Sequence, residues 1–203
     1  DEVTSYLRWA NEHAIGRGLP GVLVLSAPVV VDGEDSWKSR CYTLAELDDA
    51  GLAAVSASDA GLNMYYRTHL LAEAVSRFER GKGSLTRWIT HITADVDIAG
   101  PGHKPPPDKV LPTFEEAVAL VDETAIISSG GGLYPVLRLA EPFEITSPAD
   151  LERFKNVGRR YDRALASHGF HVDATALDAT RVIRPPGVMN NKPGRDPRPV
   201  SML

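Results

Sequence analysis

One cysteine, Cys41, stands among 203 residues. That excludes an intramolecular disulfide and any multi-cysteine zinc or iron–sulfur site, and it fits a reducing compartment, so the expected location is the cytoplasm. No run approaches the roughly 18 apolar residues that span a bilayer, and the N-terminal residues lack the order of a signal peptide, so no membrane association is expected. Aromatic residues make up only 7%, and the net charge of −5 with a pI near 5.7 is not that of a dedicated polyanion binder. Missing too is Gly-x-x-x-x-Gly-Lys-Ser/Thr, which removes Walker-type ATP binding, and the one Gly-x-Gly-x-x-Gly match, Gly16 to Gly21, precedes an apolar strand instead of following one, so a dinucleotide fold has no support. The absence of Gly-x-Ser-x-Gly, His-x-x-x-His and His-Glu-x-x-His removes the common serine and zinc hydrolases.

What remains is ordinary globular composition, 43% hydrophobic and 24% charged, with enough chain to bury a core unaided. The chain begins at Asp1 rather than Met and is read as an excised part of a longer protein. Residues 1–100 carry 9 Lys and Arg against 14 Asp and Glu, whereas 101–203 balance at 13 and 13. From Arg181 onward five cations (Arg181, Arg184, Lys192, Arg195, Arg198) face one acid, Asp196, a balance suited to phosphates.

Helical and extended periods interleave. Apolar spacing predicts helices over 2–15, 44–57 and 69–78, and a long helix opened by Ser147-Pro148 and stopped at Gly169. Thr113 and Glu116 form a capping box for a helix to about Asp122. Strands are expected at 21–26, 63–66, 89–98, 124–128, 134–139 and 170–173, with turns at 80–84 and 130–132 and a proline loop at 105–107. Many connections are too short for parallel crossovers. The expected fold class is α+β, a mixed, mostly antiparallel sheet flanked by helices.

Two elements carry chemistry. Asp95 and Asp97, two residues apart on a strand, point to one face, and paired hard oxygen ligands suit Mg²⁺ or Mn²⁺. Asp173 follows another short apolar strand and is the candidate third carboxylate, with a turn-forming role, as at Asp178, the plainer alternative. Ser128 to Gly132 is a glycine-rich turn whose amides, with the Ser129 hydroxyl, make a concave anion site; a flexible hairpin turn is the alternative.

Asp95-Val96-Asp97, then Ser129 to Tyr134, then Asp173 and Arg181 to Asn190 together resemble the archaeo-eukaryotic primase superfamily, most nearly the primase-polymerase domain of phage and plasmid replication proteins. The likeness extends from Asn63–Tyr66 through Arg80–Ser84 to Lys192. The resemblance implies a single catalytic domain over 1–203, with an N-terminal α/β part over about 1–88 and a metal-binding, RRM-like palm over about 89–192. It further implies a two-metal site of Asp95, Asp97 and Asp173 taking Mg²⁺ or Mn²⁺, with Ser129, Gly130, Gly131 and Tyr134 at the nucleoside triphosphate. Arg80, Lys82, Arg181 and Arg184 are candidate phosphate contacts, and His103, Lys104 and Lys192 candidate DNA contacts. Tyr65, Tyr66 and Trp88 are placed to stack on bases or to fill the core. The implied partners are a single-stranded DNA template or primer, NTP or dNTP, and a fused or associated helicase, in a bacterial host cytoplasm if the chain is phage or plasmid encoded.

The sequence departs from the family at one position. Tyr134 stands where the family has a histidine at the triphosphate, and a phenol cannot carry positive charge near neutral pH. Activity is then weakened, altered in its metal dependence or lost, unless His171 or the arginines of the third motif supply the charge. The expected activity is template-directed nucleotidyl transfer, as a DNA primase and polymerase in replication. The rival readings are a DNA-binding module without catalysis and an Asp-x-Asp glycosyltransferase, the latter leaving the Arg181 motif without a role.

Overall fold

Asp1 opens the first helix by accepting a hydrogen bond from the Thr4 amide at 2.7 Å. That helix, α1 (Glu2–Ala10), buries Val3, Tyr6, Leu7 and Ala10. The computed structural model describes residues 1–99, 111–120, 125–170, 178–194 and 196–203. The single helix expected to residue 15 is interrupted at Asn11, whose side-chain amide donates to the Leu7 carbonyl, before α2 (Glu12–Gly16) resumes.

The hairpin that follows was only half legible. β1 runs Val22–Val31, past the expected end at residue 26, and returns as β2 (Glu34–Thr43) in a continuous antiparallel register from Val22 opposite Thr43 to Val31 opposite Glu34. Asp32 and Gly33 both take positive φ, 52° and 84°, which matches a two-residue turn to the twist of the strands. Pro28 falls where β1 has only β2 beside it, the edge position a strand proline tolerates.

Thr43 and Glu46 form a reciprocal cap ahead of α3 (Leu47–Asp59), and then come β3 (Tyr65–Arg67) and β4 (Leu70–Leu71). The helix expected over 69–78 does not form. Leu70 and Leu71 belong to β4, between β1 and β5 (Thr86–Thr93), and the chain beyond is drawn to its neighbours: Ala72 donates to the Leu85 carbonyl, and Arg77 accepts from the Ser39 amide. Backbone pairing outcompetes local helical spacing.

Next come β6 (Val96–Asp97), α4 (Phe114–Leu120), β7 (Ala125–Ser128), β8 (Gly132–Glu144) and α5 (Pro148–Ser167). The expected capping box of α4 is present, Thr113 N donating to Glu116 Oε2 at 2.8 Å and Glu116 N to Thr113 Oγ1 at 3.2 Å. A second, Ser147 with Asp150, opens α5. Short strands β9 (Val182–Ile183), β10 (Met189–Asn190), β11 (Arg198–Pro199) and β12 (Ser201–Met202) end the chain. One sheet has the order β12-β7-β8-β5-β4-β1-β3-β9, with β2 on β1 and β6 on β8; β10 and β11 form a separate ribbon. Every pairing among the described residues is antiparallel. Among those residues, no helix is long and apolar enough to cross a membrane.

Helices flank both sheet faces. Tyr134 and Val136 of β8 pack with α1 and α3, while Leu133, with Ala94 and Val96, packs with α4 and α5. This alternation is what the pleat dictates.

Under α1 a polar chain crosses the core. The Tyr6 and Tyr66 hydroxyls lie 2.5 Å apart, Tyr66 OH is 3.0 Å from His91 Nε2, and Thr90 Oγ1 joins His91 Nδ1 to Asn11 Oδ1. Burial lowers the His91 pKa to about 4 and holds His69 well below the ordinary histidine range. Both rings are therefore neutral when folded. The unfolded chain binds protons as pH falls through about 6.5, so stability is full above that value and declines toward pH 4, by on the order of 3 kcal/mol for His91 alone. Denaturant titrations of wild type and His91→Gln should show the variant less stable at pH 7 and the gap narrowing by pH 5. A gap that stays constant would sink this account.

Candidate active site

The site rests on the register of β8. Thr93 stands opposite Val136, Val96 opposite Leu133 and Asp97 opposite Gly132. The register does not slip across Ala94 and Asp95, so Asp95 falls opposite Tyr134. Ala94 and Val96 are fully buried on the α4–α5 side, which leaves Asp95 and Asp97 together on the other face. The two carboxylates thus share one side of the β5–β6 edge, as their spacing predicts.

The turn from Ser129 to Gly132 lies beside Asp97. Ser129 is nearly buried, and its hydroxyl donates to the Gly132 carbonyl at 3.0 Å while accepting from the Gly132 amide at 2.9 Å. The hydroxyl expected at a phosphate is engaged within the turn. A Cβ at Gly132 would stand 2.7 Å from the Val96 carbonyl oxygen, so only glycine lets β6 approach this closely. Gly130, at φ 75°, lies under Asn190 and Arg198 of the β10–β11 ribbon, and Asn190 Nδ2 donates to the Ser129 carbonyl at 2.8 Å. Gly130 and Gly131 line an open cleft of about 370 Å³ with Ser128, Ile98, Phe114 and Arg198.

The third motif brings the cations. β9 pairs with β3, and its flanking arginines reach across to β8 and the acid pair. Arg181 donates to Asp95 Oδ2 at 2.5 Å. Arg184 is buried and donates to Asn63 Oδ1 at 2.8 Å, Tyr65 OH at 2.6 Å and Tyr134 OH at 3.3 Å. Burial, reinforced by the Asp95 charge, pushes the Tyr134 phenol well above its ordinary range, so it is a neutral hydroxyl. The positive charge that Tyr134 itself cannot carry is present at its oxygen as Arg184.

Other expected residues lie elsewhere. Arg80 stacks over the Trp37 ring with its guanidinium carbon 4.2 Å from the centroid, and Lys82 is exposed on the same loop. The carbonyls of Arg80, Gly81 and Lys82 accept from Arg67, a buried arginine that also donates to Thr86 Oγ1 and the Ala179 carbonyl. Nothing in the sequence marks Arg67 for that role. Tyr66 and Trp88 pack in or against the core, whereas Tyr65 does not. Lys192 is exposed just after β10. Asp173, His171, His103 and Lys104 lie outside the described residues, as does the proline loop at 105–107.

Among the described residues no group of three His, Cys, Asp or Glu side chains is gathered for a metal. The donor chemistry of Asp95 and Asp97 nevertheless fits a hard cation. Both are half-buried carboxylates on one face, and Asp95 already takes a cationic partner in Arg181.

No family model matches the chain, and no curated protein sequence matches it. Among solved structures it is similar to primase RepB′, with a TM-score of 0.52 at 9% identity over 99% of this chain and 56% of that one. It is likewise similar to the catalytic domain of primase RepB′ in complex with initiator DNA, with a TM-score of 0.52 at 10% identity over 100% of this chain and 84% of that one. The chain spans little more than half the length of the first. Its fold is similar to that of the primase RepB′ catalytic domain, an α+β domain with a mostly antiparallel sheet flanked by helices.

Gly132→Ala should force β6 away from the turn and cost about 1–3 kcal/mol, a melting-temperature drop of several degrees. Gly16→Ala, with nothing within 4 Å of the added methyl, is the control and should not lower it. Equal effects would show that the approach of β6 is not tight.

Proposed function

We propose that this chain is a template-directed nucleotidyltransferase, a DNA primase and polymerase that starts and extends strands on single-stranded DNA. One observation carries the reading: the register of β8 sets Asp97 against the Ser129–Gly132 turn and Asp95 against Tyr134, with Arg181 and Arg184 closing the same spot. The likeness of the fold to a primase catalytic domain solved with initiator DNA supports it.

Phosphoryl transfer asks mainly for positioning and charge neutralisation. Mg²⁺ or Mn²⁺, when bound, would stabilise the attacking 3′ oxygen and the leaving pyrophosphate; Asp95 and Asp97 would hold the ions, with Asp173 as the third ligand by resemblance. The remaining parts belong to the chain itself. The glycine turn offers backbone close enough for a triphosphate to approach, Arg184 presents fixed positive charge, and Tyr134 contributes a neutral hydroxyl that Arg184 orients. Arg181, already on Asp95, stands between the acids and any anion entering from the β9 side.

A second reading draws on the same ion pair. With Arg181 on Asp95 and tyrosine in place of the family's histidine, a DNA-binding module without catalysis has a physical basis.

Labelled-nucleotide incorporation on primed and unprimed single-stranded templates, with Mg²⁺ or Mn²⁺, decides between them. The nucleotidyltransferase reading expects products on unprimed template, with Asp95→Asn/Asp97→Asn reducing them by at least about a hundredfold, the scale on which loss of a charge-stabilising group acts. DNA binding without incorporation in wild type establishes the silent module, and metal-dependent release of the nucleotide from a nucleotide-sugar with no template present, without incorporation, favours the glycosyltransferase rival. If Arg184 supplies the charge at position 134, Tyr134→His should leave nucleotide affinity within about twofold; a large gain in an equilibrium binding titration would show that charge is lacking.

A further inference from the structure

Nearly all the aromatic side chains of the described residues pack in or against the three hydrophobic clusters. Trp37, Tyr65 and Phe78 do not. Each of the three lies under an arginine: Arg80 over Trp37 at 4.2 Å, Arg184 over Tyr65 at 4.6 Å and Arg77 over Phe78 at 5.5 Å. Trp37 and Tyr65 also touch each other edge to face, with centroids 5.6 Å apart. By contrast, Trp9 and Trp88 pack against the core, and Trp88 spends its indole N–H on the Pro20 carbonyl. Trp37 is half-exposed and Phe78 exposed.

The three are held in one strip by backbone rather than by a core. Ser39 of β2 donates to the Arg77 carbonyl, which zips the 77–82 loop onto the strand that carries Trp37. Arg67 pins the far end of that loop through the Arg80 and Gly81 carbonyls. At its other end the strip runs through Tyr65 to Arg184, which also contacts Tyr134, opposite Asp95. Exposed Arg77 and Lys82 lie on the same loop as Arg80, while Asp178 acts on Arg80.

We infer that the Trp37–Tyr65 strip, with Arg80 and Phe78, is the stacking platform for unpaired bases of a single-stranded DNA that leads into the Asp95–Asp97 site. The inference deepens the proposed function and rests on it for the identity of the strand. With its guanidinium carbon 4.2 Å from the Trp37 centroid, Arg80 joins the indole in one spot, and a guanidinium and an indole can each stack on a planar base. Stacking of this kind is sequence-tolerant, and the cations of the 77–82 loop meet the phosphates between bases. A duplex hides those base faces, so the platform selects single strands.

Fluorescence anisotropy of a labelled oligo-dT tests the inference, with an abasic oligonucleotide of equal length as the comparison. Wild type should bind the abasic strand about tenfold more weakly, and Trp37→Ala should weaken oligo-dT binding by about tenfold and lose that preference. Trp37→Phe, which keeps an aromatic face, should stay within about threefold of wild type. Oligo-dT binding unchanged in Trp37→Ala, or equal wild-type binding of both strands, overturns the platform. Should Trp37→Ala melt early by circular dichroism, the wild-type abasic comparison and Trp37→Phe still decide. Binding through Trp37 without nucleotide incorporation would overturn the nucleotidyltransferase reading and leave the platform standing. Incorporation with binding indifferent to Trp37 would overturn the platform alone.

Discussion

The register of β8 against β5 and β6 is the constraint on which the site depends. Side chains alternate with a period of two, so a slip of one residue would turn Asp95 and Asp97 into the cluster beneath α4 and α5 and bring Ala94 and Val96 out. The register is held where it must be, by Val96 and Leu133 buried on one face and Tyr134 and Val136 on the other. The glycine turn, the acid pair and the tyrosine are therefore parts of one antiparallel unit. The arginines arrive separately, on β9, and dock onto it.

Charge in this molecule is a matter of place more than of total. The chain is net negative by five, yet the fold gathers Arg77, Arg80, Arg181 and Arg184 along a path marked by Trp37, Tyr65 and Tyr134. Buried or stacked guanidinium groups on such a path act in a lower dielectric than surface lysines, so a modest number suffices to create a positive site. The overall pI is silent about this because it counts every acid alike, whether it meets one of these cations, as Asp95 meets Arg181, or lies elsewhere.

Local signals were the legible ones. Thr113 with Glu116 and Ser147 with Pro148 announce their helices because a helix start is written within a few residues. Asp95 with Asp97, the Ser129–Gly132 turn and the Arg181–Arg184 pair could be singled out as short patterns, and the structure brings Asp95, Asp97, Tyr134 and both arginines to one region. Signals that depend on partners were lost. Leu70 and Leu71 have helical neighbours in sequence but strand neighbours in space. Pro28 masked the second half of β1, since its tolerance there depends on an edge no sequence displays. Trp37 went unnoticed because only the fold shows it outside the core, and Arg67 because a buried arginine and a solvated one read alike.

The contacts that close the site join segments far apart along the chain. Arg184 meets Asn63 across 121 residues, Arg181 meets Asp95 across 86, and Asn190 meets Ser129 across 61. Each of these contacts closes a long loop, whose entropic cost must be met before the contact returns anything. The β1–β2 hairpin and the capped helices close short loops and can form early. The arginines of β9 and the ribbon over the glycine turn leave the ribosome after the β5–β8 unit, which exists for a time with its acids and turn in register but without its cations. Completion of the site is thus a late event in the molecule's own history, reached only when the segment from Arg181 onward has folded back over a framework already in place.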